Sequence, residues 1–338
     1  MKKVFILKVI MLAMIFACSQ RPKSGFPVLT GQYLGQELPG TDPVVFAPGI
    51  VSTGLYTRDI AMSKDGRELY FCISDPQATA IIETKLVNNR WTEPAIAPFS
   101  GKGFFDFEPH ISPDGERFFF LSTRPPTGKE AKPGWYYQKI WMMNRTEEGW
   151  SEPQLVNEPV NSADNEFFPS VSEENVLYFT RGTKDGKMRI YRSVFNEGRY
   201  LEPEMLKFDI PDTGLLFNAF ISPKEDYIIT CALGIDLSNT DQDYYISFKT
   251  ADGEWGKLLK FGPDINMPGD NAGSAFVSRD GRYLFFSSSR KEPKGLEVKS
   301  GTSLRSIIDS KSMPGNGSSA LYWVSAKIIN DLKLEELK

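Results

Sequence analysis

The 338-residue sequence predicts an all-β fold, a β-propeller built of four-stranded blades, on three observations. One sentence of residues recurs five times; each copy joins a tight-turn signal to an apolar strand; and the two ends of the chain carry complementary parts of one further unit. The copies read DIAMSKDGRELYFCISD (59–75), EPHISPDGERFFFLSTR (108–124), EFFPSVSEENVLYFTRG (166–182), NAFISPKEDYIITCALG (218–234) and SAFVSRDGRYLFFSSSR (274–290). Self-similarity of this kind overrides the length prior of roughly 150 residues per domain, which alone would suggest two domains.

Within each copy the turn comes first. In Ser112-Pro113-Asp114-Gly115 the proline presets φ, the aspartate caps its own backbone and the glycine accepts positive φ. These aspartates are turn chemistry rather than catalysts. Asn175 replaces the glycine in the third copy, which Asn tolerates, whereas Glu225 in the fourth fits poorly and predicts a remodelled turn. An apolar run follows, such as Phe118 to Leu121 or Tyr283 to Phe286, without the alternation of a half-exposed strand. It must be covered on both faces. A third strand follows in KIWMMNR, MRIYRSV, DYYISFK and ALYWVSA, and a fourth is marked by Trp91, Trp150, Tyr200 or Trp255.

The turn serines at 63, 112, 172, 222 and 278 are spaced by 49, 60, 50 and 56 residues, slightly above the roughly 40 to 50 of typical propeller blades. Radial packing of blade on blade accounts for the doubly covered strands and leaves only short edges. The fifth copy ends after its third strand, LYWVSAKII, so residues 43 to 52 (VVFAPGI within them) are predicted to complete the last blade. Five blades follow from the count, or six if a degenerate blade occupies a long insertion. The propeller domain spans residues 43–338.

Composition agrees with this class. A hydrophobic share of 41% beside 24% charged residues predicts a packed core rather than disorder, and 13% aromatics suit a sheet-rich fold. The N-terminus is a separate module: Lys2 and Lys3, an apolar stretch from Val4 to Ala17 interrupted by Lys8, then Cys18. That reads as an export signal over residues 1–17, and Ile15-Phe16-Ala17-Cys18 resembles the lipobox of bacterial lipoproteins, which would make Cys18 the lipidated first residue. The stretch is short for the roughly 20 residues of a spanning helix. Residues 18–42, with several Gly and Pro, read as a tether. Loss of the signal removes three of 39 basic residues, leaving 36 against 43 acidic ones and a charge of about −7, which argues against a nucleic-acid partner. Cys72 and Cys231 occupy equivalent positions of non-adjacent copies, too far apart for a disulfide. No metal-ligand spacing exists, and neither metal nor cofactor is expected.

The phrases WSEPQLVNEPVNSADNEFFPSVSEENVLYFTRG and ISPDGERFFFLSTR resemble the TolB-like, WD-repeat-like propellers of bacterial envelope proteins, over about residues 43 to 330. The resemblance implies the fold and an envelope location; it implies little about activity, since such propellers serve as protein-binding modules and as domains of enzymes. By analogy with bacterial lipoproteins, Ser19 after Cys18 favours outer-membrane sorting, and with no acidic run following Cys18 the anchor is expected to face the periplasm.

Blade topology places the loops leading into the inner strands on one face, opposite the turns, together with the loops after the second strands. That rim carries Asp59, Asp106, Glu108, Asp164, Asn165, Glu166, Asn218, Asp270 and Asn271, with Arg124, Arg181 and Arg290. Either each arginine bonds a carboxylate or carbonyl of a leading loop and orders it, or the three grip an anionic ligand while paired acids do chemistry. A sialidase-like Ser-x-Asp-x-Gly-x-x-Trp box is absent. A Ser-His-acid triad is restricted by the single histidine, His110, and lacks a Gly-x-Ser-x-Gly elbow. Acid and base candidates for glycosidase chemistry are Glu108 with Asp106 or Glu166, and His110 as a lone base.

The long connections 124–137 and 290–319 open on the same rim. The first holds Trp135, Tyr136 and Tyr137; the second holds SLRSIIDSK, a short helix in prospect with Leu304, Ile307 and Ile308 on one side. Trp135 and the second loop are predicted as walls of a binding surface, unless Trp135 packs on blade 3. The function expected is an envelope-tethered binding module for a protein partner or a glycan, without catalysis; the alternative is a carbohydrate-active enzyme using rim carboxylates and arginines.

Overall fold

The computed structural model describes residues 25–74, 79–236, 241–291 and 299–336. The residues read as an export signal, Cys18 and residues 292–298 of the second long loop lie outside them.

The described residues form five antiparallel sheets, each one blade of the predicted propeller. Inner strands are Tyr56–Met62, Asp106–Ile111, Asn165–Val171, Leu215–Ile221 and Ala275–Val277, and each pairs with a second strand, respectively Glu68–Ser74, Arg117–Ser122, Val176–Gly182, Tyr227–Leu233 and Tyr283–Ser288. Third strands are Thr79–Val87, Lys139–Thr146, Met188–Asn196, Asp243–Phe248 and Ala320–Ser325. Outer strands are fragmentary. In blade 2, for example, Gly149–Trp150 and Gln154–Leu155 pair with the two ends of one third strand.

Second strands are buried on both faces, as their unbroken apolar runs require: all six residues of Arg117–Ser122 are buried. Tyr70 of blade 1 meets Phe118 of blade 2 edge-on at 4.9 Å, and Trp150 adds a third ring at 5.2 Å from Phe118 while its indole N–H donates to the Tyr70 hydroxyl at 3.0 Å. The outer-strand tryptophan is therefore a wedge between blades. Arg145, stacked on Trp150 at 3.6 Å, reaches back to Glu68 of blade 1 with two bonds of 3.0 and 2.9 Å.

Closure follows the predicted route. Val44 and Val45 pair with Trp323 and Tyr322, so the N-terminal segment supplies the outer strand of blade 5. Phe46 N–H donates to the Leu321 carbonyl at 2.8 Å, and the Ser52 hydroxyl bonds both the Leu321 carbonyl and its N–H at 3.0 Å. Part of the segment read as a tether also lies on the domain. Residues 29 to 36 run past blade 1, where the Trp91 indole donates to the Gly31 carbonyl at 2.7 Å, and Tyr33 reaches blade 5, 5.5 Å from Trp323.

The turn of blade 4 is a correction. It is not remodelled: Glu225 takes φ 57°, and its N–H donates to the Ser222 carbonyl at 2.9 Å, the bond that Gly66, Gly115, Asn175 and Gly281 make in the other blades. Glu225 is held there by its carboxylate, which accepts from the Tyr178 hydroxyl at 3.0 Å and from Lys249 at 3.2 Å. Asp226 supplies the acceptor for the turn serine at 2.5 Å. A helix, Lys327–Glu336, follows the last strand and buries Ile329. No described helix is long and apolar enough to cross a membrane. Cys72 and Cys231 are buried free thiols.

Phe46 has no exposed surface and meets Phe285 and Trp323 edge-on, each at 5.1 Å. Truncating it should loosen the closure: Phe46→Ala is expected to cost about 3–5 kcal/mol in denaturant unfolding. A loss below about 1 kcal/mol, the level of an ordinary surface substitution, would mean that closure rests on backbone pairing alone.

Candidate functional site: a ring of bulges at the mouth of the channel

Counting back four residues from the turn serines gives Asp59, Glu108, Phe168, Asn218 and Ser274. At the first four the inner strand is bulged, with register breaks against the second strand and φ of 55°, 57°, 52° and 53°. A bulge re-aims a side chain, and a non-glycine residue at positive φ costs on the order of 1 kcal/mol or more unless its surroundings hold it. Here the neighbouring blade does the holding. Asp59 N–H donates to the Ser274 hydroxyl at 3.0 Å, Phe168 N–H to Glu108 Oε2 at 2.7 Å, and Asn218 N–H to Thr180 Oγ1 at 2.9 Å. Asn218 Nδ2 donates to the Gly273 carbonyl at 2.6 Å. These contacts run round the propeller axis.

Arg58 occupies the position just before the bulge of blade 1. Its Nε donates to Asp59 Oδ1 at 2.9 Å and its terminal nitrogen to Glu108 Oε1 at 3.2 Å, while the guanidinium lies 4.9 Å over the Phe107 ring. Two buried carboxylates thus share one cation. Burial pushes the Glu108 carboxyl up to about 8, Arg58 pulling against the shift and the Asp59 charge adding to it. Asp59 Oδ2 and Asn218 Oδ1 are buried with no hydrogen-bond partner among the described residues.

Above the ring opens a pocket of about 390 Å³. Phe107, Trp135, Phe167 and Phe217 form its aromatic walls, and Arg58, Glu108, Asn218, Gln138 and Gln242 its polar lining. Below the ring the channel narrows to about 20 Å³ between Pro109, His110, Pro169 and Phe220, room for about one water. A ligand entering from the rim stops at the ring.

The rim arginines lie elsewhere. Arg124 bonds buried Asp106, the Ser122 hydroxyl at 2.7 Å and the Phe99 carbonyl. Arg181 bonds Glu166 at 3.1 Å and the carbonyls of Pro159 and Val160 at 3.1 and 3.0 Å. Glu166 also accepts from Lys139 of blade 2 at 2.7 Å, and the Asp164 carbonyl accepts from the same ammonium. Arg290 bonds the Ser288 hydroxyl at 2.7 Å and the Ile265 carbonyl at 3.1 Å, 3.8 Å from Asp270. Each arginine thus makes the loop-ordering contacts of the first alternative. Asp106 and Glu166 sit in these networks and do not line the mouth pocket.

His110 lines the narrow channel; its Nε2 accepts from Val171 N–H at 3.0 Å, and burial, with the Arg279 charge behind it, pushes the imidazole down to about 3. Trp135 is 41% exposed and leans on Phe105 and Phe107 of its own blade at 5.1 and 6.0 Å. Tyr136 is more exposed and meets Tyr137 edge-on. The helix Leu304–Lys311 forms as the sequence predicts, capped by Ser303, but Ser312 and Asn316 fasten its far end to Gly54 at 3.0 and 3.1 Å. None of its residues lines the mouth pocket, so the helix is not the wall expected of this loop, whose residues 292–298 lie outside the described ones. Arg58, Phe107, Phe167, Phe217, Gln138 and Gln242 were not singled out by the sequence reading. The signal was present for the first four, each five residues before its turn serine.

No protein-family model matches the chain, and no curated protein matches it. Among solved structures, TolB from Acinetobacter baumannii is similar at TM-score 0.48 and 14% identity, over 80% of this chain and 57% of that one. This chain therefore spans little more than half of that protein's length. A putative TolB from Agrobacterium tumefaciens is similar at 0.47 and 13%, over 80% and 90% of the two chains. A gluconolactonase from Xanthomonas campestris is similar at 0.43 and 11%, over 77% and 94%.

Glu108 makes stability depend on pH. A carboxyl whose folded pKa lies above its unfolded value near 4.5 contributes fully below that value and loses its contribution as pH rises to about 8. The denaturation midpoint should fall between pH 5 and pH 8, and Glu108→Gln should flatten that fall whatever its effect on absolute stability. Parallel pH profiles for the two proteins would show that Glu108 is ionised throughout.

Proposed function

We propose that this protein is a binding module of the bacterial envelope whose mouth pocket takes one sugar-sized unit of a glycan. The observation that carries this reading is the pocket itself. Its volume of about 390 Å³ falls within the roughly 300–1,000 Å³ of small-ligand sites. Flat aromatic faces stand against amide and charged groups, which suits a ring with apolar C–H faces and a hydroxylated edge. The envelope location rests on the N-terminal sequence, with Cys18 as the lipid attachment point of an outer-membrane anchor facing the periplasm.

One observation favours a second reading, a carbohydrate-active enzyme. Glu108, with its raised pKa, lies beside Asp59, and an acid kept protonated next to an ionised one is a general acid–base pair in form. Against turnover, both Glu108 oxygens already accept protein donors, from Arg58 and from Phe168 N–H.

Trp135 separates binding from packing, because it is half-exposed yet lines the pocket. On a glycan array the wild type should retain a defined set of sugars. Trp135→Ala should lose about tenfold or more in affinity for them, or about 1.4 kcal/mol, with little change in melting temperature. A wild type that retains no glycan would refute the reading; release of shortened sugar would convert it to the enzymatic one, and Glu108→Gln should then stop the release. Separately, Cys18→Ser should abolish palmitate labelling and free the protein from membranes. Unchanged membrane association would identify residues 4 to 17 as the anchor.

A further inference from the structure

We propose that the sugar unit taken by the mouth pocket carries a free primary ammonium group, received by Asp59, Glu108 and Asn218. The inference rests on the glycan reading above and deepens it.

The charge balance of the ring is the starting point. Asp59 and Glu108 are 3% and 6% exposed, and Arg58 is the one cation that an ion pair joins to either among the described residues. Buried charges are expensive unless each finds a partner: Arg58 balances Asp59 while Glu108 holds its proton, and the site becomes one positive charge short once that proton leaves. Other basic groups on this side of the fold are committed: Arg124 to Asp106, Arg181 and Lys139 to Glu166, and Arg279 bonds the Ile111 carbonyl.

The donor balance has the same sign. Asp59 Oδ2 and Asn218 Oδ1 are buried acceptors without a donor. Asp59 N–H bonds Ser274 and Asn218 Nδ2 bonds Gly273, so the bulges of blades 1 and 4 are tied to two consecutive residues of blade 5. An added Cβ at Gly273 would come within 2.5 Å of the Ser287 hydroxyl, so this approach needs glycine. Asn218 lines the mouth pocket, Asp59 the narrow channel beneath, and Glu108 both. The constriction between the two spaces therefore runs through the acceptors.

An ammonium group supplies what is missing on both counts: one positive charge and three N–H donors. A hydroxyl brings one donor and no charge. A divalent metal is disfavoured by the Arg58 guanidinium at hydrogen-bond distance from both carboxylates, and the described residues contain no cluster of three or more His, Cys, Asp or Glu side chains. Phe107 and Trp135 line the path of the incoming cation.

Binding of a cation here should expel a proton. The groups facing Glu108 are Arg58 and Asp59 from blade 1 and the buried thiols Cys72 and Cys231, which burial holds in their neutral form. The arriving charge then lets Glu108 ionise, and the proton leaves to solvent.

The test is calorimetric titration of the full-length protein with four probes: a glucosamine tetramer, an N-acetylglucosamine tetramer, a glucose tetramer and trilysine. Measurements are made at about pH 6, where the sugar amines already carry their protons and Glu108 still holds its own, in two buffers of different ionisation heat. The glucosamine tetramer should bind at least about tenfold tighter than the two neutral tetramers, with proton release that they do not show. Asp59→Asn should erase that preference, and the proton count on the wild type stands even where the variant fails to fold. Equal binding of the three tetramers without proton release would overturn the ammonium while leaving the glycan reading intact. Binding of no tetramer would remove that reading and the inference with it. Trilysine binding as tightly as the glucosamine tetramer would overturn the amino sugar as the source of the amine.

Discussion

The constraint on which the rest of this structure depends is the crowding of five inner strands around one axis. Strands that converge cannot all keep regular pairing with their own second strands and also satisfy their polar groups toward the neighbouring blade. Four of the five resolve the conflict with a bulge at the same offset from the turn, each residue at positive φ. The N–H groups of Asp59, Phe168 and Asn218 are then taken up by side chains of the next blade, on Ser274, Glu108 and Thr180. A second tier lies below, where His110 accepts from Val171 N–H and Ser170 from Ile221 N–H. Backbone satisfaction across blades is thus written in side chains, and it fixes where Glu108 and Asn218 stand.

That economy separates two sets of charges with different roles. Arg124 and Arg181 bond buried carboxylates of their own blades, and Arg290 bonds a carbonyl with Asp270 beside it. Removing one partner of such a buried pair leaves a stranded charge, so these networks give loops a single conformation. The mouth cluster differs in kind. Two carboxylates divide one guanidinium, and two acceptors lack donors, an arrangement that costs stability and persists only where a ligand or a structural bond makes use of it.

The same logic of local cost and tertiary support runs through the turn of blade 4. Glu225 takes a conformation suited to glycine because Tyr178 and Lys249 hold its carboxylate. A propeller tolerates such departures in single repeats. Each blade leans on two neighbours, so a poor local choice is compensated across an interface rather than within the unit.

The sequence by itself determined the repeat, a count of five blades with a sixth left open, the closing strand and the class of turn. These depend on short-range rules: φ preferences at Gly, Asn and Pro, and the apolar runs of strands covered on both faces. It also placed Asp59, Glu108 and Asn218 on one face of the propeller. It could not rank them against Asp106, Glu166 or the rim arginines, because the same residue types serve both roles and burial is not legible in one copy of a repeat. Only the tertiary structure decided that Arg58 spans two blades, that the helix of the second long loop stands clear of the pocket, and that residues 29 to 36 lie on the domain. The physical reason is that inner-strand side chains are sorted by a bulge, which reverses the simple alternation of a strand at one residue and leaves no mark in hydropathy.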